Sequence, residues 1–262
     1  MMFDLITVLV AMCVIMSAAW LTQRSVNNAG WIDVFWTFGT GFTCADAALW
    51  PDADGLGARK LLVAGLVALW ALRLGGYIAI RVARGPEDTR YARLREDWGG
   101  AFQQRLFLLV IAQAPATALL ATSVYVAAHT SGPIGLRDWA GAATLAIAIL
   151  GEALADEQMR RFKQTPGHGK IMDRGLWAWS RHPNYFLEWF GWLAYPIIGF
   201  QPENPVSYLT LIAPVLMYVI LRYGTGIPAL EKTMMLSRGA DFAAYQQRVS
   251  AFVPRPPRRV HP

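Results

Sequence analysis

Charge is scarce in this chain. Only 16% of its 262 residues are Asp, Glu, Lys or Arg, against about 25% in a soluble domain, which is too little to wet the whole surface of a protein this size. Cysteine is scarcer still. The two present, Cys13 and Cys44, lie in apolar stretches, where a thiol is a small hydrophobe and neither a disulfide partner nor a zinc ligand. The four histidines, His129, His168, His182 and His261, have no metal-ligand spacing, so no metal site is expected. His129 and His261 read as exposed loop or tail residues, and His168 and His182 as part of a cytosolic face. No GxGxxG follows a strand, which removes a Rossmann domain. There is no internal repeat and no low-complexity linker, so residues 1–262 read as one domain. Disordered, collagen-like and disulfide-scaffold classes are excluded with them.

What is present is apolar: 55% hydrophobic residues, eleven Trp and a mean hydropathy of +0.30. Crossing about 30 Å of hydrocarbon takes roughly 20 helical residues. Seven stretches approach that length, at 3–21, 31–50, 59–80, 105–128, 138–155, 185–200 and 206–223. The sixth is short, aromatic and reads as tilted or partly interfacial. The first lacks a positive leading segment and a small-residue cleavage site before Gln23, so it reads as a span and not a signal peptide. The expected fold is therefore an all-α integral membrane protein with seven transmembrane helices. If the spans alternate, Arg59, Lys60 and Arg137 are the basic residues on one side and Arg73 sits within a span. Every other Lys and Arg lies on the opposite side. The positive-inside rule then places the N-terminus outside and the C-terminus in the cytoplasm. The net charge of +6 and a pI near 9.5, in a chain this apolar, favour anionic lipid or an anionic cofactor over nucleic acid.

The densest local pattern is Gly175-Leu176-Trp177-Ala178-Trp179-Ser180-Arg181-His182-Pro183-Asn184-Tyr185, followed by Glu188 and Trp189. Pro183 suits the first turn of a helix, where its missing N–H goes unnoticed. Asn184 and Glu188, four apart, share a helical face. Arg181 and the free N–H groups of a helix start suit a phosphate, while Asn184 and Glu188 suit an amide or a hydroxyl.

The RHPNY segment, its preceding Gly-Leu-Trp and its following acid resemble the C-terminal signature of the steroid 5α-reductase family (3-oxo-5α-steroid 4-dehydrogenases) and the related sterol C14-reductases. The likeness is most specific over 150–254 and fainter before that. It implies a multi-pass oxidoreductase of a bacterial inner membrane that uses NADPH to reduce the C4–C5 double bond of a 3-oxo-Δ4 steroid, or a related enone lipid entering from the bilayer. It also implies a cofactor site facing the cytoplasm. Carried over by position, the implied cofactor set is Arg84, Asp156, Arg160, Lys163, Lys170, Trp177, Arg181, His182, Asn184, Tyr185, Glu188, Arg222 and Glu231. Basic cytosolic loops suit a dinucleotide with several negative charges. Glu152, one turn before Asp156, reads as lining the same cavity.

Conjugate reduction needs a donor at the ketone oxygen, where negative charge grows as the enolate forms. In the family a Glu near the second span and a Tyr in the third hold that ketone. Asp33 falls at the Glu position, and burial would keep its carboxyl protonated and able to donate. Trp70 stands where the family has Tyr; its indole N–H donates but does not transfer a proton at neutral pH. Tyr77 or Trp36 is left to compensate. Asp46, near the outer end of the second span, reads as meeting water.

Two other classes share parts of this pattern. The isoprenylcysteine carboxyl methyltransferase and phospholipid methyltransferase families also pair an RHP-aromatic segment with a C-terminal acidic segment to hold S-adenosylmethionine. They favour a small residue soon afterwards, where this chain has the bulky Phe186-Leu187-Glu188. A non-enzymatic sterol or lipid binder would keep an apolar cavity but would have no use for converging cations.

Overall fold

The computed structural model describes residues 5–51, 55–167 and 169–258; His168 and His261 lie outside them. Among the described residues there is no strand, only an isolated bridge between Ser180 and Ser250. The helices run α1 Leu5–Val26, α2 Trp31–Leu49, α3 Ala58–Arg84, α4 Thr89–Trp98, α5 Phe102–Ile111, α6 Gln113–Ala128 and α7 Leu136–Gln164. They continue with α8 Pro183–Trp192, α9 Ala194–Gly199, α10 Ile212–Tyr223 and α11 Ile227–Arg248.

Five helical stretches are long and apolar enough to cross a bilayer: Leu5–Val26, Ala58–Arg84, Thr89–Ala128, Leu136–Gln164 and Pro205–Arg248. That is two fewer than the seven expected. The second expected span is α2, whose 19 residues include Asp33 and Asp46 and bury ten of their number; it is not among the five. The sixth falls on α8 and α9, of ten and six residues on either side of Leu193, and is not among them either. The long spans turn apolar side chains outward, as α1 does with Ile6, Val10 and Val14 at 71%, 56% and 65% exposure. Such a surface has lipid, not water, as its natural solvent.

The chain divides into two compact units, Met1–Ala142 with Leu193–Leu216, and Ala143–Trp192 with Met217–Pro262. In the first, α2 packs against α1, α3 and α6. Small residues permit this. Gly39 meets Ile15 and Met12, a Cβ on Gly41 would overlap the Ala71 methyl, and Gly75 lies under the Phe38 ring. Apolar tails give helices no hydrophobic reason to associate within lipid, so close backbone approach and buried hydrogen bonds carry the packing. Thr40 and Thr117 share one such bond at 3.0 Å. At one end of this unit Arg59 forks onto Asp138, with Nε to Oδ1 at 2.6 Å and Nη2 to Oδ2 at 3.0 Å, and also caps the carbonyls of Thr130, Gly132 and Pro133. His129 is not the exposed loop residue expected. Its ring nitrogens lie 2.8 Å from the Tyr125 carbonyl and 2.9 Å from that of Trp50, tying the end of α6 to the end of α2.

In the second unit α7 and α8 cross closely, Gly151 under Leu187 and Gly191 against Leu145 and Ala148. Phe186, Trp189, Tyr218 and Phe252 form an aromatic cluster with centroids 5.5–6.0 Å apart. Phe242, Tyr245 and Val249 make a separate small core with Ile171 and Met234. Helix α11 kinks at Gly239, whose φ of 50° belongs to the left-handed region.

The α2–α3 contact is directly testable. Gly41→Ala should destabilise the protein by about 1–3 kcal/mol through overpacking, and adding Ala71→Gly should recover most of the loss. Thermal unfolding in detergent measures both; a Gly41→Ala protein as stable as the parent would contradict the packing.

Candidate functional site

The RHPNY segment is built around one buried arginine. The Arg181 guanidinium gives Nε to Glu231 Oε1 at 2.7 Å and Nη2 to Glu231 Oε2 at 3.1 Å, while Nη1 serves the carbonyls of Gln246 and Val249. Gln246 adds a bond to Glu231 Oε2 at 2.8 Å, and His182 Nε2 lies 2.9 Å from Oε1. Glu231 thus receives four polar contacts from three side chains. Glu231, expected at the start of the last cytosolic segment, and the expected cofactor residues Arg181 and His182 are joined to one another. Trp177 is likewise internal, its indole N–H donating to the Ala155 carbonyl at 3.0 Å, and the Tyr245 hydroxyl donates to the Trp177 carbonyl. Tyr185 stacks on His182 with centroids 5.7 Å apart.

What this frame presents is the start of α8. Pro183 opens the helix, and Asn184 and Glu188 follow one turn apart. Glu188 is buried and accepts from Trp192 Nε1 at 2.8 Å. The Asn184 side chain is half-buried and has no hydrogen-bond partner among the described residues. Because Gly151 lies under Leu187, the buried acids Glu152 and Asp156 of α7 stand on the helix that crosses α8 next to Glu188. The α7–α8 pair therefore carries three buried carboxylates and an open carboxamide in otherwise apolar surroundings. That donor and acceptor set fits the hydroxyls and the amide of a dinucleotide, so the residues are compatible with one.

The expected cations divide by exposure. Arg160 is exposed and forks onto Glu157 at 2.6 and 2.7 Å, where Arg161 joins it. Lys163 is exposed one turn beyond. Lys170 pairs with Asp241 at 2.9 Å, and Arg222 lies over the Tyr223 ring at 5.0 Å. In the other unit, Arg84 is exposed at the end of α3. Charged groups at the polar ends of helices fit phosphates as well as they fit solvent, and Arg84, Arg160 and Lys163 are accessible for it.

Asp33 sits in an arrangement the sequence did not disclose. Its Oδ2 accepts from Arg90 Nη2 at 2.6 Å and its Oδ1 from the Tyr91 hydroxyl at 2.8 Å. Both carboxyl oxygens are thus engaged within the chain, one of them in an ion pair with Arg90. Arg90 is held in turn by Asp88, which caps α4. Burial alone would raise the Asp88 carboxyl, but the charge and hydrogen bonds of Arg90, with Arg81 beyond, outweigh it and hold it below its ordinary value. Tyr77 lies between Arg73 and Arg81, whose guanidinium carbons are 5.7 and 6.0 Å from its ring centroid. Trp70 is buried and meets Trp36 edge-on at 6.4 Å and 87°. Trp36 Nε1 is buried with no acceptor among the described residues. Leaving such a group unpaired costs about 1–3 kcal/mol, and it stands one turn along α2 from Asp33.

Residues 19–249 match a family described as a protein of unknown function, DUF1295. The chain belongs to that family, a steroid 5α-reductase-like family of membrane proteins. A Schizosaccharomyces pombe protein described as uncharacterized is 26% identical over 227 residues, covering 75% of this chain and 64% of its own length, so the chain spans just under two thirds of that relative. No solved structure matches.

The His182 contact makes a prediction about pH. Burial pushes the imidazole below its ordinary value; the Glu231 hydrogen bond and charge oppose this without outweighing it. A folded-state value below the unfolded one of about 6.5 means that the unfolded chain binds the proton more readily. This contribution to stability is whole above about pH 6.5 and is lost as the pH falls. His182→Gln keeps an N–H for Glu231 and does not titrate, so its melting temperature should fall less than that of the parent between about pH 7.5 and pH 5. Parallel losses would show that His182 is not the group responsible.

Proposed function

We propose that the protein is a multi-pass membrane reductase that uses NADPH to saturate a carbon–carbon double bond conjugated to a ketone, in a steroid or another apolar lipid drawn from the bilayer. The observation that carries this reading is the polar strip on α7 and α8, where Asn184 offers an open carboxamide beside three buried acids. Membership of a steroid 5α-reductase-like family supports it. Buried polar groups in a membrane helix pair are costly and mark function by default. In this reading the earlier count of seven spans, with the N-terminus outside and the C-terminus cytoplasmic, keeps the basic loops on the side where the cofactor is made.

When bound, NADPH supplies the hydride. The rest falls to the chain. Asn184, Glu188 and Asp156 would hold the cofactor's amide and hydroxyls and fix its orientation, while Arg160 and Lys163 of the same unit would meet phosphates. In the first unit, the Trp36 indole N–H would be available to hydrogen-bond a ketone oxygen and steady negative charge there. A proton from water completes the α-carbon, so enone, hydride and proton give the saturated ketone. Asp33 acts through Arg90 and Tyr91, holding α4 against the first turn of α2, and so serves to position the substrate wall.

A second reading has its own support. Three buried carboxylates also suit the sulfonium and ammonium charges of S-adenosylmethionine, and the RHP-aromatic pattern occurs in methyltransferases that bind it. Thermal unfolding of the full chain in nanodiscs separates the two. NADPH should raise the midpoint and NADH should do so much less. Asn184→Ala should weaken NADPH binding by about tenfold, the loss of one hydrogen bond of about 1.4 kcal/mol. Trp36→Phe should leave that affinity unchanged and lower enone turnover by about tenfold or more. Stabilisation by S-adenosylmethionine and not by NADPH would move the protein to the methyltransferase class; stabilisation by a sterol alone would make it a binder.

A further inference from the structure

The end of α11 and the segment after it enclose a cavity of about 540 Å³ in the second unit, lined by Arg181, Arg248, Arg255 and Arg258 with Gln246 and Ser250 among the remaining residues. Its wall is pinned in place. Ser180 Oγ donates to the Phe252 carbonyl at 2.8 Å, and the Arg181 amide to that of Ser250 at 2.8 Å. The Arg255 amide donates to Trp179 at 2.9 Å and the Arg258 amide to Arg248 at 2.8 Å. This C-terminal stretch is therefore fixed against the RHPNY segment by backbone bonds that leave its arginine side chains to point elsewhere.

The charges do not cancel. Arg181 is neutralised by Glu231, and Arg248 reaches Asp173 at 3.2 Å. Arg255 and Arg258 have exposed side chains with no acid and no side-chain hydrogen bond among the described residues. Among the described residues, no Asp or Glu lines the cavity. Two uncommitted guanidiniums in a concave, acid-free wall favour an anion, and their planar forks match phosphate oxygens in pairs. The volume lies in the range that holds a whole small ligand, so more than a lone phosphate fits. Beside the cavity, Trp179, whose carbonyl takes the Arg255 amide, is 49% exposed, and Val253 is 42% exposed. Exposed Trp next to arginine is the pairing found at the depth of lipid headgroups.

We propose that this cavity is a phosphate-binding site, clamped by Arg255 and Arg258, for the headgroup phosphate of an anionic lipid or the phosphate of a soluble molecule. It goes beyond the reductase reading, since it requires neither a dinucleotide nor an enone.

The test uses the full-length protein in nanodiscs of phosphatidylcholine and reads the thermal midpoint. In one arm inorganic pyrophosphate is titrated; in the other, part of the phosphatidylcholine is replaced by phosphatidic acid. At least one probe should raise the parent's midpoint by about 5 °C when present on the order of 100-fold above its dissociation constant. A response to phosphatidic acid alone identifies a lipid, and a response to pyrophosphate alone a soluble phosphate. Arg255→Ser/Arg258→Ser should start from the parent's midpoint, because both side chains are exposed, and should lose the response. Arg255→Lys/Arg258→Lys should keep part of it, which also guards against a variant that fails to fold. A control, Arg93→Ser/Arg105→Ser, should respond like the parent. No response to either probe, or an equal response in Arg255→Ser/Arg258→Ser, would overturn the proposal.

Discussion

The second unit depends on the pair between Arg181 and Glu231. A carboxylate drawn partly out of water needs its oxygens satisfied, and the half-buried Glu231 has Arg181, His182 and Gln246 around it. The same guanidinium caps two carbonyls at the end of α11, so one side chain fixes the last helix, the RHPNY segment and the start of α8 together. Asn184 and Glu188 point where they do because the residues before Pro183 cannot shift. In this protein the most conspicuous cation of the motif positions the residues that follow it.

The first unit solves a different problem. Its central helix α2 carries aromatic, threonine and glycine residues in place of a continuous aliphatic face, and it lies among α1, α3 and α6. Glycines at 39 and 41 bring backbones close, and threonine hydroxyls find partners on their own helix or across it. Among the described residues, the Trp36 indole N–H on this helix is buried with no acceptor.

Hydropathy made the helical membrane class legible, because runs such as 59–80 and 105–128 have no other explanation. Two of the seven stretches are less plain as spans in the structure: α2 buries ten of its 19 residues, and the aromatic stretch after Pro183 divides at Leu193. The RHPNY motif was legible as a helix start, and the structure begins α8 at Pro183. The internal use of Arg181 was not, since its partner Glu231 is fifty residues away in sequence. The Arg90 and Tyr91 contacts to Asp33 were hidden for the same reason. They sit on α4, a short, strongly polar helix that reads as a solvated loop, and nothing local to Asp33 announces them.

We propose that the α7–α8 strip serves the delivery of hydride to an apolar enone, a reading that the family relation supports. Isotope transfer tests that claim most directly. The full-length protein in nanodiscs is incubated with a 3-oxo-Δ4 steroid and NADPH deuterated at the transferred position of its nicotinamide, and the product is read by mass spectrometry and NMR. The account predicts a saturated ketone bearing one deuterium at the β-carbon, with the α-hydrogen drawn from water. An unreduced steroid with the deuterium still on NADPH, or a product methylated from S-adenosylmethionine, would contradict it.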